Sequence, residues 1–151
     1  MRYVKVEAVD GGRYLDPTEY ARLLPTFADA LPPGARAFAM DPDRYDFHGG
    51  RCVKDLTLRA VERGDSWVRL DFRHNCWKHE DDLTVQYTGV VDITPADPDL
   101  AALNSLMLDE ILPHPHGCTH EFSFLSGRLI ITSQDLTATW TDSDCPERRP
   151  T

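Results

Sequence analysis

Near residue 53 the hydrophobic pattern of this chain changes period, from about 3.6 residues to about 2, and that change decides its fold class. Before it, Tyr20, Leu23, Leu24, Phe27 and Leu31 follow the spacing of one helix face. Asp16-Pro17-Thr18-Glu19 supplies the start: Asp suits an N-cap, Pro the first helical position, and Glu completes a box-like pattern. Pro25 interrupts the run and predicts a kink or two short helices in tandem. Pro32-Pro33-Gly34 ends the element. Residues 3–8 alternate as a short strand ahead of the helix, and Ala35 to Met40 reads as a small strand after it.

Beyond residue 53 the chain alternates. Leu56, Leu58 and Ala60 share one face, Val68, Leu70 and Phe72 another, and Arg63-Gly64-Asp65-Ser66 turns between them as a hairpin. Leu83, Val85, Tyr87, Gly89, Val91 and Ile93 predict one long strand with a wet opposite face, bent at Gly89. Residues 95–98 form a turn, 99–104 suit one helical turn, and 105–112 fit strand or helix equally. Strands are expected over 118–125, 128–132 and 135–140, with Ser126-Gly127 as a tight turn. One helix followed by a meander implies an α+β domain: an antiparallel β-sheet of about six to eight strands, as a curved sheet or a two-layer sandwich, with an N-terminal helix packed on it. That domain spans 1–141. Residues 142–151 have little to bury and read as a disordered C-terminal tail that takes Cys145 with it.

Charge is the second constraint. The chain carries 25 acids and 16 bases among its 151 residues, a formal net charge of −9. No Lys or Arg occurs between Lys78 and Arg128, and that window holds nine acids. The remainder is neutral, so the whole net charge lies in one segment. A nucleic-acid binder needs a basic footprint, and an anionic membrane attracts basic segments, so both partners are excluded. No apolar run is long enough to span a bilayer, and no signal-like apolar stretch opens the sequence. A cytoplasmic location is expected, with the four cysteines as free thiols. The preference for Arg over Lys and Asp over Glu points to a GC-rich bacterial genome.

The side chains that carry chemistry concentrate in two loops, 74–82 and 114–121. The first holds His74, Cys76, His79, Glu80, Asp81 and Asp82; the second holds His114, His116, Cys118, His120 and Glu121. Imidazole, thiolate and carboxylate are the ordinary ligands of zinc, and a tetrahedral site from His79, His116, Cys118 and His120 is conceivable. The spacing matches no metal signature, however, and His120 falls on the same strand face as Phe122 and Phe124, as a hydrogen-bonded core histidine would. Asp109, Glu110 and Glu121 lie close enough in sequence to these histidines for acid–base work, but a solvated acidic face is the simpler reading. No nucleophile elbow and no phosphate-binding glycine pattern occurs. Trp77, beside Lys78 and His79, suits an interface anchor and a small second core equally. Trp67 suits a small second core beneath the N-terminal helix.

The run His120-Glu121-Phe122-Ser123-Phe124-Leu125-Ser126-Gly127-Arg128-Leu129-Ile130-Ile131-Thr132-Ser133-Gln134-Asp135-Leu136, with Asp82 to Val90 upstream, resembles the closing hairpin and central strand of several small bacterial families, among them immunity proteins of polymorphic toxin systems. The resemblance covers about 40% of the chain and transfers no site residue. It implies a small protein that works by binding another protein. Together with the charge, this gives the leading expectation: a non-enzymatic acidic module, such as an immunity-type inhibitor of a basic toxin. Its binding face would comprise Glu80, Asp81, Asp82, Asp109, Glu110 and Glu121, with no catalytic residue and no cofactor. The alternatives are a metal-binding protein or metal-dependent hydrolase built on the two loops with zinc, and a structural domain without separable activity.

Overall fold

Alternation after residue 53 becomes two sheets facing each other. The computed structural model describes residues 1–143 and 145. A hairpin of β1 (Lys5–Val9) and β2 (Gly12–Asp16) leads into α1 (Thr18–Phe27), a 3-10 turn (Ala28–Ala30) and α2 (Pro33–Ala39). Then come β3 (Thr57–Arg63), β4 (Trp67–Arg73), β5 (Asp81–Thr88), β6 (Asp92–Thr94), the short α3 (Leu100–Leu103), β7 (Leu106–His114), β8 (Gly117–Phe124), β9 (Gly127–Ser133) and β10 (Asp135–Asp142). The hairpin stands alone as one sheet; the others run β10-β5-β4-β3 and β6-β9-β8-β7. Every strand pair is antiparallel.

Register follows from which side chains need burial. Val68, Leu70 and Phe72 of β4 lie opposite Tyr87, Val85 and Leu83 of β5, and all six are buried. In the other sheet β8 buries Cys118, His120, Phe122 and Phe124 in strict alternation. These two faces meet: the rings of Phe72 and Phe122 lie 5.5 Å apart. One shared core therefore sits between two four-stranded layers. Along one side the layers join through an isolated bridge between Thr57 and Ser105, with the Leu106 amide donating to Leu56 at 2.8 Å.

Among the described residues the strands number ten rather than six to eight, and the departures have physical causes. Gly89 has φ +60 and ends β5; the chain then crosses to the other layer as β6, so the expected long strand over 83–93 is two strands in two sheets. The ambiguous segment 105–112 is β7, whose first six residues are all buried. Its inward face meets the core, and its outward Glu110 lies beneath the N-terminal segment, so its sequence lacks the alternation of a one-sided strand. The second strand of the N-terminal hairpin carries mostly exposed side chains and leaves no hydrophobic pattern to read.

Residues 35–39 are helical, not extended, and Met40 is the C-cap. Pro33 lies in the first turn of α2, and the Asp135 carboxylate accepts from the amides of Gly34 (3.1 Å) and Ala35 (2.9 Å). A carboxylate about a hundred residues away thus caps the helix, which local reading cannot anticipate. A Cβ on Gly34 would lie 1.9 Å from the Leu136 carbonyl oxygen, so only glycine lets α2 sit this close to β10. In α1, Tyr20 is buried and donates to the Ile111 carbonyl of β7 at 2.7 Å.

Asp142, Ser143 and Cys145, which the sequence assigned to a tail, are tied to the fold. Asp142 still pairs with Asp81, the Ser143 hydroxyl donates to the Glu80 carbonyl at 2.8 Å, and Cys145 is disulfide-bonded to Cys76. Pairing of β10 with β5 carries the chain back to the loop that precedes β5, which brings Cys145 to Cys76. Residue 144 and residues 146–151 of the expected tail lie outside the described residues. Among the described residues no helix is long and apolar enough to cross a membrane.

Candidate functional site

Two polar constellations stand out, one sealed in the core and one at the surface. The core network begins with Asp109 on β7 and His120 on β8, both without solvent exposure. His120 Nε2 donates to Asp109 Oδ2 at 2.6 Å, and its Nδ1 accepts from the Tyr87 hydroxyl of β5 at 2.7 Å. On the far side of Asp109 lies Arg44, 1% exposed, with Nη2 3.7 Å from Oδ1. Arg44 donates to the Tyr45 hydroxyl, which donates to the Asp109 carbonyl. The guanidinium also sits 4.2 Å from the Tyr45 ring and 5.5 Å from that of Phe38. Arg44 carried no local signal of this role, because the partner that explains it is 65 positions away.

The charges here are fixed by surroundings. Burial alone would raise the Asp109 carboxyl, but the Arg44 guanidinium and the His120 hydrogen bond hold it below the ordinary carboxylate range. Burial pushes His120 down despite the neighbouring carboxylate, so its imidazole stays neutral. Burial raises the Tyr87 hydroxyl well above its usual value. An aspartate, histidine and hydroxyl in a row look catalytic in outline, but Asp109, His120 and Tyr87 are all inaccessible, so no substrate can reach them. The two free thiols are equally enclosed: Cys118 lies 3.8 Å from the Ser133 hydroxyl, and burial raises both Cys52 and Cys118.

The surface constellation is the loop between β4 and β5. His74, at its start, points Nδ1 at Asp82 Oδ1 (2.6 Å) and Nε2 at Cys76 Sγ (3.2 Å). Asn75 accepts the Trp77 amide at 3.0 Å through its side chain, and the His79 amide at 2.7 Å through its carbonyl. His79 accepts the Asn75 amide at Nδ1 and donates from Nε2 to the Cys52 carbonyl at 2.7 Å. Lys78 reaches Asp55 at 3.1 Å. With the Cys76–Cys145 disulfide, every side of the loop is pinned, and Trp77 is left 88% exposed at its centre. Beside it, a cleft of about 200 Å³ opens between His74, Asn75, Cys76, Arg73, Asp55 and Ser105.

The six acids expected on one face mostly serve inside the fold. Asp81 is 4% exposed and paired with Arg51 at 2.8 Å; Asp82 orients His74; Asp109 belongs to the core. Glu110 is 2% exposed and accepts the amides of Arg2, Tyr3 and Val4 at 2.6–2.8 Å. Glu121 meets the Met1 amino group at 3.0 Å and Arg128 at 3.5 Å. Of the six, Glu80 is exposed, and so are Asp92, Asp97 and Asp99 of the same window.

The four residues considered for zinc are not gathered at one point. His79 and His120 each spend both ring nitrogens on hydrogen bonds, Cys118 faces Ser133, and the His116 ring stacks on that of His114. Among the described residues, His74, Cys76 and Cys145 are the one set of three whose ligand atoms all lie within 4.8 Å of one another. Two of these sit in a loop the sequence marked for its chemistry; Cys145 looked like part of the tail. Trp67 does not lie beneath α1. It is 37% exposed at the β3–β4 turn and lines a cleft of about 350 Å³ with Val91, Ile93, Asp65 and Asp92. No known protein family, curated protein or solved structure matches the chain.

Two of the buried histidines, His79 and His120, make stability depend on pH. Burial pushes His79 down as it does His120, so both are depressed in the folded state. In the unfolded chain a histidine takes up its proton near pH 6.5, roughly the ordinary value for an imidazole. The unfolded state therefore binds more protons below that point, and stability falls as pH falls. Urea midpoints measured from about pH 7.5 down to 5.5 should drop, with a slope approaching 1.4 kcal/mol per pH unit for each histidine. A midpoint that stays flat over this range would mean that both imidazoles take up protons in the folded protein as readily as in the unfolded chain.

Proposed function

We propose that the protein is a non-enzymatic binding module for a basic protein partner, with Trp77 as the anchor of the contact. The observation that carries this reading is an indole 88% exposed on a loop pinned by a disulfide and several hydrogen bonds. An exposed Trp on a mobile loop loses much of its binding energy to ordering. A Trp presented on a fixed loop does not, and Trp is the side chain most enriched among binding hot spots. The net charge of −9 would speed encounter with a basic surface, with Glu80, Asp92, Asp97 and Asp99 supplying exposed acids. The sealed state of the Asp109–His120–Tyr87 row fits a role without catalysis. An immunity-type inhibitor that covers a basic toxin is the sharpest form of this reading.

Capture from a lysate of the source organism, with wild type and Trp77→Ala as parallel baits, identifies and tests the partner together. The expected result is a basic protein retained by wild type. Trp77→Ala should weaken its binding by about 2 kcal/mol, roughly thirtyfold, at unchanged thermal stability. Its association rate should fall as salt rises. Equal retention by both baits removes Trp77 from the interface. A rate indifferent to salt removes the electrostatic part.

A further inference from the structure

We propose that His74, Cys76 and Cys145 form a binding site for a thiophilic divalent metal, zinc by its chemistry, filled when the Cys76–Cys145 disulfide is reduced. The inference does not depend on the binding role of Trp77, because metal uptake is read on the protein alone.

The donor set comes first. Two thiolates and one imidazole are the ligands zinc prefers, and their atoms already lie within 4.8 Å of one another. In a tetrahedral site with Zn–S near 2.3 Å and Zn–N near 2.0 Å, ligand atoms stand about 3.3–3.8 Å apart. His74 Nε2 is 3.2 Å from Cys76 Sγ, so that pair already stands near ligand spacing and metal uptake requires the two sulfurs to move apart.

The orientation of His74 is the second, independent observation. Asp82 takes the Nδ1 side of the ring at 2.6 Å and also accepts the His74 amide at 2.8 Å, which fixes both the side chain and its backbone. A carboxylate on Nδ1 leaves the lone pair on Nε2, the atom aimed at the sulfurs. A disulfide sulfur has no proton to give it. This carboxylate–histidine arrangement is the one that orients metal-bound imidazoles in general. It contrasts with His79 and His120, whose second nitrogen is satisfied by the Cys52 carbonyl and by Asp109.

Enclosure is the third. His74, Cys76 and Cys145 are 6–7% exposed, and the polar cleft of about 200 Å³ borders His74 and Cys76. Three protein ligands with a fourth position open to that cleft is a four-coordinate site able to hold a water or a partner's donor atom.

The exchange between the two states balances. Two molecules of a small thiol open the disulfide by thiol–disulfide exchange; the protein gains two electrons and two protons, and the small thiols leave joined as a disulfide. Zn²⁺ then binds both sulfurs and displaces those two protons to solvent. In either state Cys76 and Cys145 remain tied together, so the Trp77 loop keeps its anchor.

The test uses the full chain, untagged. It is reduced with a phosphine, desalted without oxygen and titrated with Co²⁺, which shares the ligand preferences of zinc and absorbs light. The expected result is one Co²⁺ per chain, with thiolate-to-cobalt charge-transfer absorption and the visible bands of a four-coordinate ion. Zn²⁺ should bleach both. The oxidised protein should take up none, a comparison that needs no variant to fold. Cys145→Ser should abolish the absorption, Cys118→Ser should leave it unchanged, and Asp82→Asn should weaken binding about 10- to 100-fold. Reduced wild type without a thiolate–cobalt band overturns the proposal, as does a band that survives in Cys145→Ser.

Discussion

Replacing Asp109 with alanine is expected to destabilise the fold by about 3–5 kcal/mol and to lower the melting temperature by about 10 °C. Asp109 and Arg44 are both enclosed, at 0% and 1% exposure, and their charges are 3.7 Å apart. Without the carboxylate, a guanidinium that cannot lose its proton stays in the core with no counter-ion. Arg44 Nε and Nη1 already lack hydrogen-bond partners among the described residues, so beyond the bond from Nη2 to Tyr45 it is the pair's attraction that offsets the charge. The same substitution leaves the Nε2 proton of His120 without its acceptor. Asp109→Asn separates the two effects. It keeps an acceptor for His120 but removes the charge facing Arg44, so it should cost less than alanine and still well over 1 kcal/mol. Urea unfolding at constant slope measures both. A loss under about 1 kcal/mol for alanine would mean that the rings of Tyr45, Tyr20 and Phe38 suffice to hold Arg44.

This network also marks where the sequence stops being legible. Phe122 and His120 could be placed on one inward face because a strand repeats every two residues, and β8 has that pattern. Asp109 could not, since β7 is covered on both faces and does not alternate. A charged residue in an apolar run reads as surface, and its true setting depends on Arg44, far away in the chain. The acids mislead in the same way. Their crowding between Lys78 and Arg128 is a fact about order along the chain. Antiparallel pairing then sends Glu110 and Glu121 to the N-terminal segment, Asp81 to Arg51 and Asp82 to His74. Linear charge density survives folding only where no backbone amide or base is waiting for the carboxylate. Trp77 was half legible: beside Lys78 and His79 it suited an anchor and a small core equally, and its 88% exposure decides for the surface. The helix at 33–39 and the Cys76–Cys145 bond were not legible, since each is completed by a residue 69 or more positions away.

That bond is the source of the second large effect. Reduction of the disulfide is expected to cost about 4 kcal/mol of stability, by the chain-entropy estimate for a closed loop of this length. Its two cysteines are 69 residues apart and enclose β5 through β10, so breaking it frees most of the β-region in the unfolded ensemble. In the folded state the loss is local. The Trp77 loop retains the hydrogen bonds by which His79 accepts from the Asn75 amide and donates to the Cys52 carbonyl, whereas the end of β10 retains its pairing with β5 and the Ser143 contact with Glu80. Hydrogen exchange should therefore quicken at Thr141 and Asp142 well before Leu136, which is buried beside α2. Cys145→Ala should reproduce the stability loss, and reductant should add nothing to it. The metal proposal makes the reduced protein a distinct case: Zn²⁺ should restore part of the lost stability in reduced wild type and none in Cys145→Ala, because binding to the folded state alone raises its stability by mass action. If reduction shifts the urea midpoint by less than the equivalent of about 1 kcal/mol, the unfolded chain must hold these two segments together without the bond, and the entropic account fails.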